Sequence, residues 1–142
     1  MRISDVMRSK GSAVVTVSPR ETVGTLLDLL AQHNIGAVVV SSDGREVAGI
    51  VSERDVVRRL QAHGAAALTA PVSEIMTVDV FTCKPDDDLA ETAGTMTENR
   101  IRHLPVLIDG QLVGIVSIGD IVKNRIDQLQ AERDHLEGYI NQ

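Results

Sequence analysis

Gly49-Ile-Val-Ser-Glu-Arg-Asp55 returns as Gly114-Ile-Val-Ser-Ile-Gly-Asp120, 65 residues further along the chain. One such match in an aliphatic sequence carries little weight, but matches kept in order around it mark an internal repeat. Working outward, Asp43-Gly44 recurs as Asp109-Gly110, and Val15-Thr-Val-Ser-Pro19 as Phe81-Thr-Cys-Lys-Pro85. Ile3-Ser-Asp-Val-Met7 recurs as Val72-Ser-Glu-Ile-Met76. The offset falls only from 69 through 66 to 65, so small insertions separate two units of about 60 residues. Residues 1–61 read as the first repeat and 72–126 as the second. Between them, 62–71 is an Ala-rich linker in which Gly64 stops a helix; 127–142 is a helical extension.

Each repeat reads as β-α-β-β-α. A short extended segment, Val14–Val17 or Val80–Cys83, ends at a proline that cannot continue a ladder. An amphipathic helix follows, with Val23, Leu26, Leu27 and Leu30 as its buried stripe in one copy and Leu89, Ala93 and Met96 in the other. Two strands come next: Ala37–Ser41 with Glu46–Val51, then Leu104–Ile108 with Gln111–Val116. Asp109-Gly110 between alternating apolar runs signals a two-residue hairpin. A second helix starts directly after Ser52 or Ser117. A three-stranded sheet with helices on one face leaves its other face apolar. The expected fold is therefore of the α/β (α+β) class, with two βαββα repeats packed sheet to sheet about a pseudo-twofold axis that creates two related clefts.

Composition narrows the function. A chain of 142 residues hides roughly 68–70 % of its unfolded surface and folds without staples. Cys83 is the only cysteine, so no internal disulfide framework exists. No apolar run reaches the ~18 residues of a membrane span, and Met-Arg-Ile-Ser-Asp-Val-Met-Arg has no apolar h-region. The expected location is the cytoplasm, with no membrane partner. A net charge of −6 opposes binding to phosphate backbones, and Phe81 and Tyr139 are the only aromatics, too few for a nucleic-acid stacking platform. Any flat ligand is expected to lie between aliphatic side chains.

Ser52-x-x-Asp55 and Ser117-x-x-Asp120 have two readings. One is a capping box, serine and acid exchanging bonds at a helix start. The other is ribose binding: a capping box usually carries the longer Glu or Gln, whereas a short, fixed carboxylate suits a ribose diol, and nearby helix-start amides suit phosphates. Arg102 and His103 directly precede the apolar Leu104 and Val106, which points at least one of them into a cleft; a solvated edge accounts for Arg100. Arg102 suits bidentate phosphate recognition. The aligned residues of the first repeat are Gly36 and Ala37, so the two clefts differ chemically. Arg54 sits in a first helical turn, where the dipole prefers acids, so it either pairs with Glu53, Asp55 or solvent or awaits an anion. Thr16 and Thr82 either flank an adenine or are ordinary strand formers. His33, His63 and His135 form no metal set, and no catalytic constellation is visible. Val122, Leu129 and Leu136 recur every seven residues with Ile126 and Ile140 between them and Arg133 interrupting. That tail reads either as a helix that packs on a partner subunit or as a frayed, solvated end.

Taken together, the two Gly-Ile-Val-Ser-x-x-Asp motifs, the run Arg102-His-Leu-Pro-Val106 and the prolines before each first helix resemble a tandem CBS-domain protein, or Bateman module, here a stand-alone pair covering about residues 3–126. The resemblance implies a non-enzymatic regulatory module that requires no cofactor and binds an adenosine-containing ligand such as AMP, ADP, ATP, a nicotinamide dinucleotide or S-adenosylmethionine. It implies a homodimer and basic residues that contact ligand phosphates. Under it, Arg54 reaches across to a nucleotide whose ribose sits on Asp120, gathering Ser117, Asp120, Arg102 and Arg54 around one cleft. A cleft at Asp55, helped by the second repeat, is the alternative. A different function also fits: a dimeric adaptor with empty clefts that docks on an enzyme or transporter.

Overall fold

A computed structural model gives the structure of residues 1–11 and 13–141. The chain runs α1 (Ile3–Lys10), β1 (Thr16–Val17), α2 (Val23–His33), β2 (Ala37–Val40), β3 (Gly49–Ser52) and α3 (Glu53–His63). Two 3₁₀ turns, Gly64–Thr69 and Val72–Glu74, lead to α4 (Leu89–Glu98), β4 (His103–Ile108), β5 (Gln111–Ser117) and α5 (Ile118–Ile140). The first sheet has the order β1-β2-β3, parallel then antiparallel; the second is the antiparallel pair β4-β5. This mixture of helices and small sheets is α+β, as expected.

Local chemistry sets the departures from the expected elements. The segment Val80–Cys83 forms no strand; Cys83 alone bridges Val106, where β1 pairs two residues with β2. Pro105 stands where the first repeat has Val39 and has no N–H to donate, so the ladder shrinks to one rung. Strand β3 starts at Gly49 rather than Glu46 because Asp43 Oδ1 accepts the N–H groups of Arg45 and Glu46, at 2.8 and 2.9 Å. The Arg45 carbonyl is also taken, by the Leu112 N–H of the other repeat at 2.8 Å. The second hairpin follows its signal: Asp109 and Gly110 hold φ of 51° and 76°, the paired left-handed values of a type I′ turn. Gly64, at φ 63°, ends α3.

The leading helix α1 went unread in the sequence, and it packs where the repeat pattern does not place it. Ile3 and Val6 of the first repeat are fully buried in the second core, with Leu89, Met96, Leu104, Val106 and Val116. Val72, which opens the second repeat, is fully buried in the first core, with Val17, Leu26, Val40 and Val51. The exchange is symmetric down to single hydrogen bonds. Val23 N–H donates to Ala70 O at 2.9 Å and Leu89 N–H to Met1 O at 3.0 Å; Val72 N–H donates to Glu21 O and Ile3 N–H to Asp87 O. Each helix start in one repeat is thus stitched to the leading segment of the other. Val56 and Ile121, on the second helix of each repeat, are core residues at 2 and 4 % exposure.

Candidate functional site

Both copies of the serine–aspartate motif cap a helix. Ser52 donates its N–H and its hydroxyl to Asp55 Oδ2, at 2.9 and 3.2 Å. In the second copy Ser117 N–H donates to Asp120 Oδ2 at 2.9 Å, and Asp120 N–H donates back to Ser117 Oγ at 3.1 Å. The short carboxylate therefore does reach the N-cap amide, which leaves capping and ligand binding compatible on one side chain.

Their surroundings separate the two aspartates. Lys10 Nζ donates to Asp120 Oδ2 at 2.7 Å and to the Ile115 carbonyl at 2.8 Å. Burial pushes the Asp120 carboxyl up, but the Lys10 bond and the Ser117 N–H outweigh it and hold the group below the usual carboxylate range. In the first repeat the carbonyl of Ile50, the counterpart of Ile115, accepts the Thr77 N–H at 2.8 Å instead. No cation among the described residues lies within 4.0 Å of Asp55. The residue aligned with Lys10 is Asp79, an acid that lines the space in front of Asp55.

That space is a cleft of about 240 Å³. The turn from β3 into α3 contributes Ser52, Arg54 and Asp55; the second repeat contributes Arg100, Arg102 and His103. Ile50, Val80 and the ring of Phe81 give it an apolar wall, and Gly36 and Ala37 leave the floor open. Arg54, Arg100 and Arg102 are exposed and form no ion pair with a carboxylate of the described residues. Three guanidinium groups without an ion-pair partner share this lining with the carboxylates of Glu53, Asp55 and Asp79, so the cleft offers donors for phosphate oxygens beside acceptors for hydroxyl groups. His103 lines the Asp55 cleft and also feels the charge of Asp120. Burial pushes its imidazole below the ordinary value, with Lys10 and Arg102 acting the same way and Asp120 and Glu53 opposing them. It contributes a neutral ring near pH 7.

The residues singled out in the sequence divide accordingly. Ser52, Asp55, Arg54, Arg102 and His103 meet in one cleft. Ser117 and Asp120 do not line that cleft. The helix start of the first repeat shares this cleft with the basic run; that of the second meets the run along the backbone, His103 pairing with Ser117 and Ile118 N–H donating to Arg102 O at 2.8 Å, while Lys10 stands before Asp120. Thr82 lines a separate groove with Asp87, Asp88 and Glu91, and Thr16 pairs with Val39 in β1. Among the lining residues that the sequence did not single out, two bear on a ligand. Phe81, 50 % exposed, puts a ring where only aliphatic contacts were expected. Arg100, read as a solvated edge, lines the cleft from a left-handed turn at φ 55°. Among the described residues no group of three or more His, Cys, Asp or Glu could hold a metal ion, and no helix is long and apolar enough to cross a membrane.

The CBS-domain model matches residues 3–62 and 72–127, and the chain belongs to that family, as a tandem pair of the repeat. It is similar to a CBS-domain containing protein of Agrobacterium tumefaciens, a solved structure, at 43 % identity and a TM-score of 0.84; the match covers 88 % of this chain and 99 % of that one. The CBS domain-containing protein YhcV of Bacillus subtilis is 34 % identical over 129 residues, 91 % of either chain. The CBS domain pair of protein MJ0100, solved in complex with 5′-methylthioadenosine and S-adenosyl-L-methionine, shares the fold at a TM-score of 0.79 and 23 % identity, covering 90 % of this chain and 98 % of that one.

Proposed function

We propose that this chain is a non-catalytic regulatory module, working as a homodimer in the cytoplasm, that binds an adenosine-containing nucleotide in the Asp55 cleft. The observation that carries the reading is the convergence of unpaired Arg54, Arg100 and Arg102 on a cleft that also holds a capping carboxylate free of any cation. Asp55 accepts from the ribose hydroxyls and the arginines take the phosphates. Phe81, Ile50 and Val80 cover the flat base. That a pair of the same fold holds two adenosine compounds supports the ligand class.

A thermal-unfolding panel of AMP, ADP, ATP, NAD, NADH and S-adenosylmethionine tests it. A ligand held at 100 times its dissociation constant adds about 2.7 kcal/mol to stability. The expected result is stabilisation by at least one phosphorylated member and its loss in Arg102→Ala. No response to any of the six overturns the reading in favour of an adaptor that docks on an enzyme or transporter.

A further inference from the structure

The helix α5 continues well past the fold. It is unbroken from Ile118 to Ile140, about 34 Å at 1.5 Å per residue, and every residue from Leu129 to Asn141 is exposed. A bare helix of a dozen residues is marginal in water. Its outer face is also apolar: Val122, Ile126 and Leu129 are 48–49 % exposed, and Leu136, Tyr139 and Ile140 are 60–79 % exposed. The spacing of Val122, Ile126, Leu129, Arg133, Leu136 and Ile140 alternates four and three, the d-to-a and a-to-d steps of a heptad seam.

We infer that α5 pairs antiparallel with α5 of a second copy of this chain. This inference rests on the homodimer reading above and assigns its interface. Charge decides the direction. In that register Lys123 and Glu137 are e positions and Glu132 is a g position. A parallel pair sets Glu132 against Glu137 of the second copy and stacks Arg133 on Arg133 in the seam. An antiparallel pair centred at residue 131 matches Val122 with Ile140, Ile126 with Leu136 and Leu129 with Arg133. It then places Lys123 opposite Glu137 of the second copy, twice, against one like-charge contact of Glu132 with Glu132 of the second copy, where the parallel pair has two of Glu132 with Glu137. Arg133 meets a leucine and keeps its own Asp134 and Glu137 within 4.0 Å.

Light scattering and sedimentation of the full chain test the inference. The expected result is a dimer that Leu129→Asp with Leu136→Asp turns into a monomer of unchanged circular dichroism apart from α5. Glu137→Lys weakens the dimer about 2- to 30-fold, the worth of two exposed ion pairs, and adding Lys123→Glu restores it. A wild-type monomer at tens of micromolar overturns both the dimer and its α5 interface. A dimer untouched by the double aspartate variant overturns only the α5 interface. A tighter dimer in Glu137→Lys, the relief of Glu132 expected of a parallel pair, overturns the antiparallel register.

Discussion

Gly49 and Gly114 occupy the same place in the two repeats, yet replacing each by alanine should have unequal consequences. A Cβ on Gly49 meets the Thr77 carbonyl oxygen at 2.7 Å and Met76 Sδ at 2.9 Å. The oxygen is backbone, held by the paired bonds Ile50 N–H to Thr77 O and Thr77 N–H to Ile50 O, at 3.0 and 2.8 Å, so it cannot yield alone. Overpacking costs about 1–3 kcal/mol, and loosening those bonds adds about 1 kcal/mol each. Stiffening the unfolded chain returns about 0.4–1 kcal/mol, which leaves a loss of about 2–4 kcal/mol. A Cβ on Gly114 is obstructed by Met7 Cε at 2.9 Å, the free end of a flexible side chain, with Val106 Cβ at an ordinary 3.9 Å. Turning that methyl aside costs about 0.5–1.5 kcal/mol, nearly cancelled by the same gain in the unfolded state. Urea unfolding should show Gly49→Ala with a midpoint about 1–2 M lower and Gly114→Ala close to wild type, at equal m. Thr77 and Ile50 also line the Asp55 cleft, so only Gly49→Ala should weaken nucleotide binding. Equal losses in the two variants would refute the claim that backbone and side-chain obstruction differ here.

Calorimetry should find one nucleotide site per chain, with Asp55→Ala weakening it about 10- to 150-fold, the worth of charged hydrogen bonds, and Asp120→Ala lowering stability while affinity stays. Two equal sites, or the reverse ranking, would return the site to Asp120. The depressed His103 imidazole means the folded chain binds fewer protons than the unfolded one below about pH 6.5, so stability should fall as pH drops from 6.5. His103→Gln should flatten that part of a stability-versus-pH curve; an unchanged slope would show that His103 is not its source. Burial, aided by Asp87, pushes the Cys83 thiol up to about 12, so a disulfide reagent at pH 8 should react with the native chain only as fast as it opens. Reaction at the rate of a free thiol would place Cys83 outside the core.

Most of the fold could be read because it is written twice. The repeat, the hairpin at Asp109-Gly110 and the helix starts after Ser52 and Ser117 all follow from short-range chemistry, and all are present. What escaped is what spacing cannot encode. Helix α1 is amphipathic, but its eight residues hold a single i, i+3, i+4 set, Ile3, Val6 and Met7, too short a run to stand out as a helix by spacing. Its docking on the other repeat is a matter of tertiary packing. The site was legible in its components, since an aspartate after each strand and a basic run before β4 stand out in any reading. Their pairing was not, because it turns on Lys10, which lies 110 residues from Asp120 in sequence and drew no attention. Phe81 was discounted as a lone ring, although one ring suffices to cover one base.

The crossed seating of α1 and Val72 sets the reading frame of the protein against its packing frame. The first core is complete within one continuous stretch, from Val15 to Met76. The second is split, drawing Ile3 and Val6 from one end of the sequence and Cys83 to Ile121 from the other. Met1 also lies beside Leu136 and His135 of α5, which brings the two ends of the chain into the same neighbourhood. Cutting just after Met76 and joining those ends through a short spacer would keep the first core continuous and make the second one so as well. The natural order instead holds each repeat hostage to the other, so that trimming the first ten residues unmakes the half of the molecule that begins some seventy residues later.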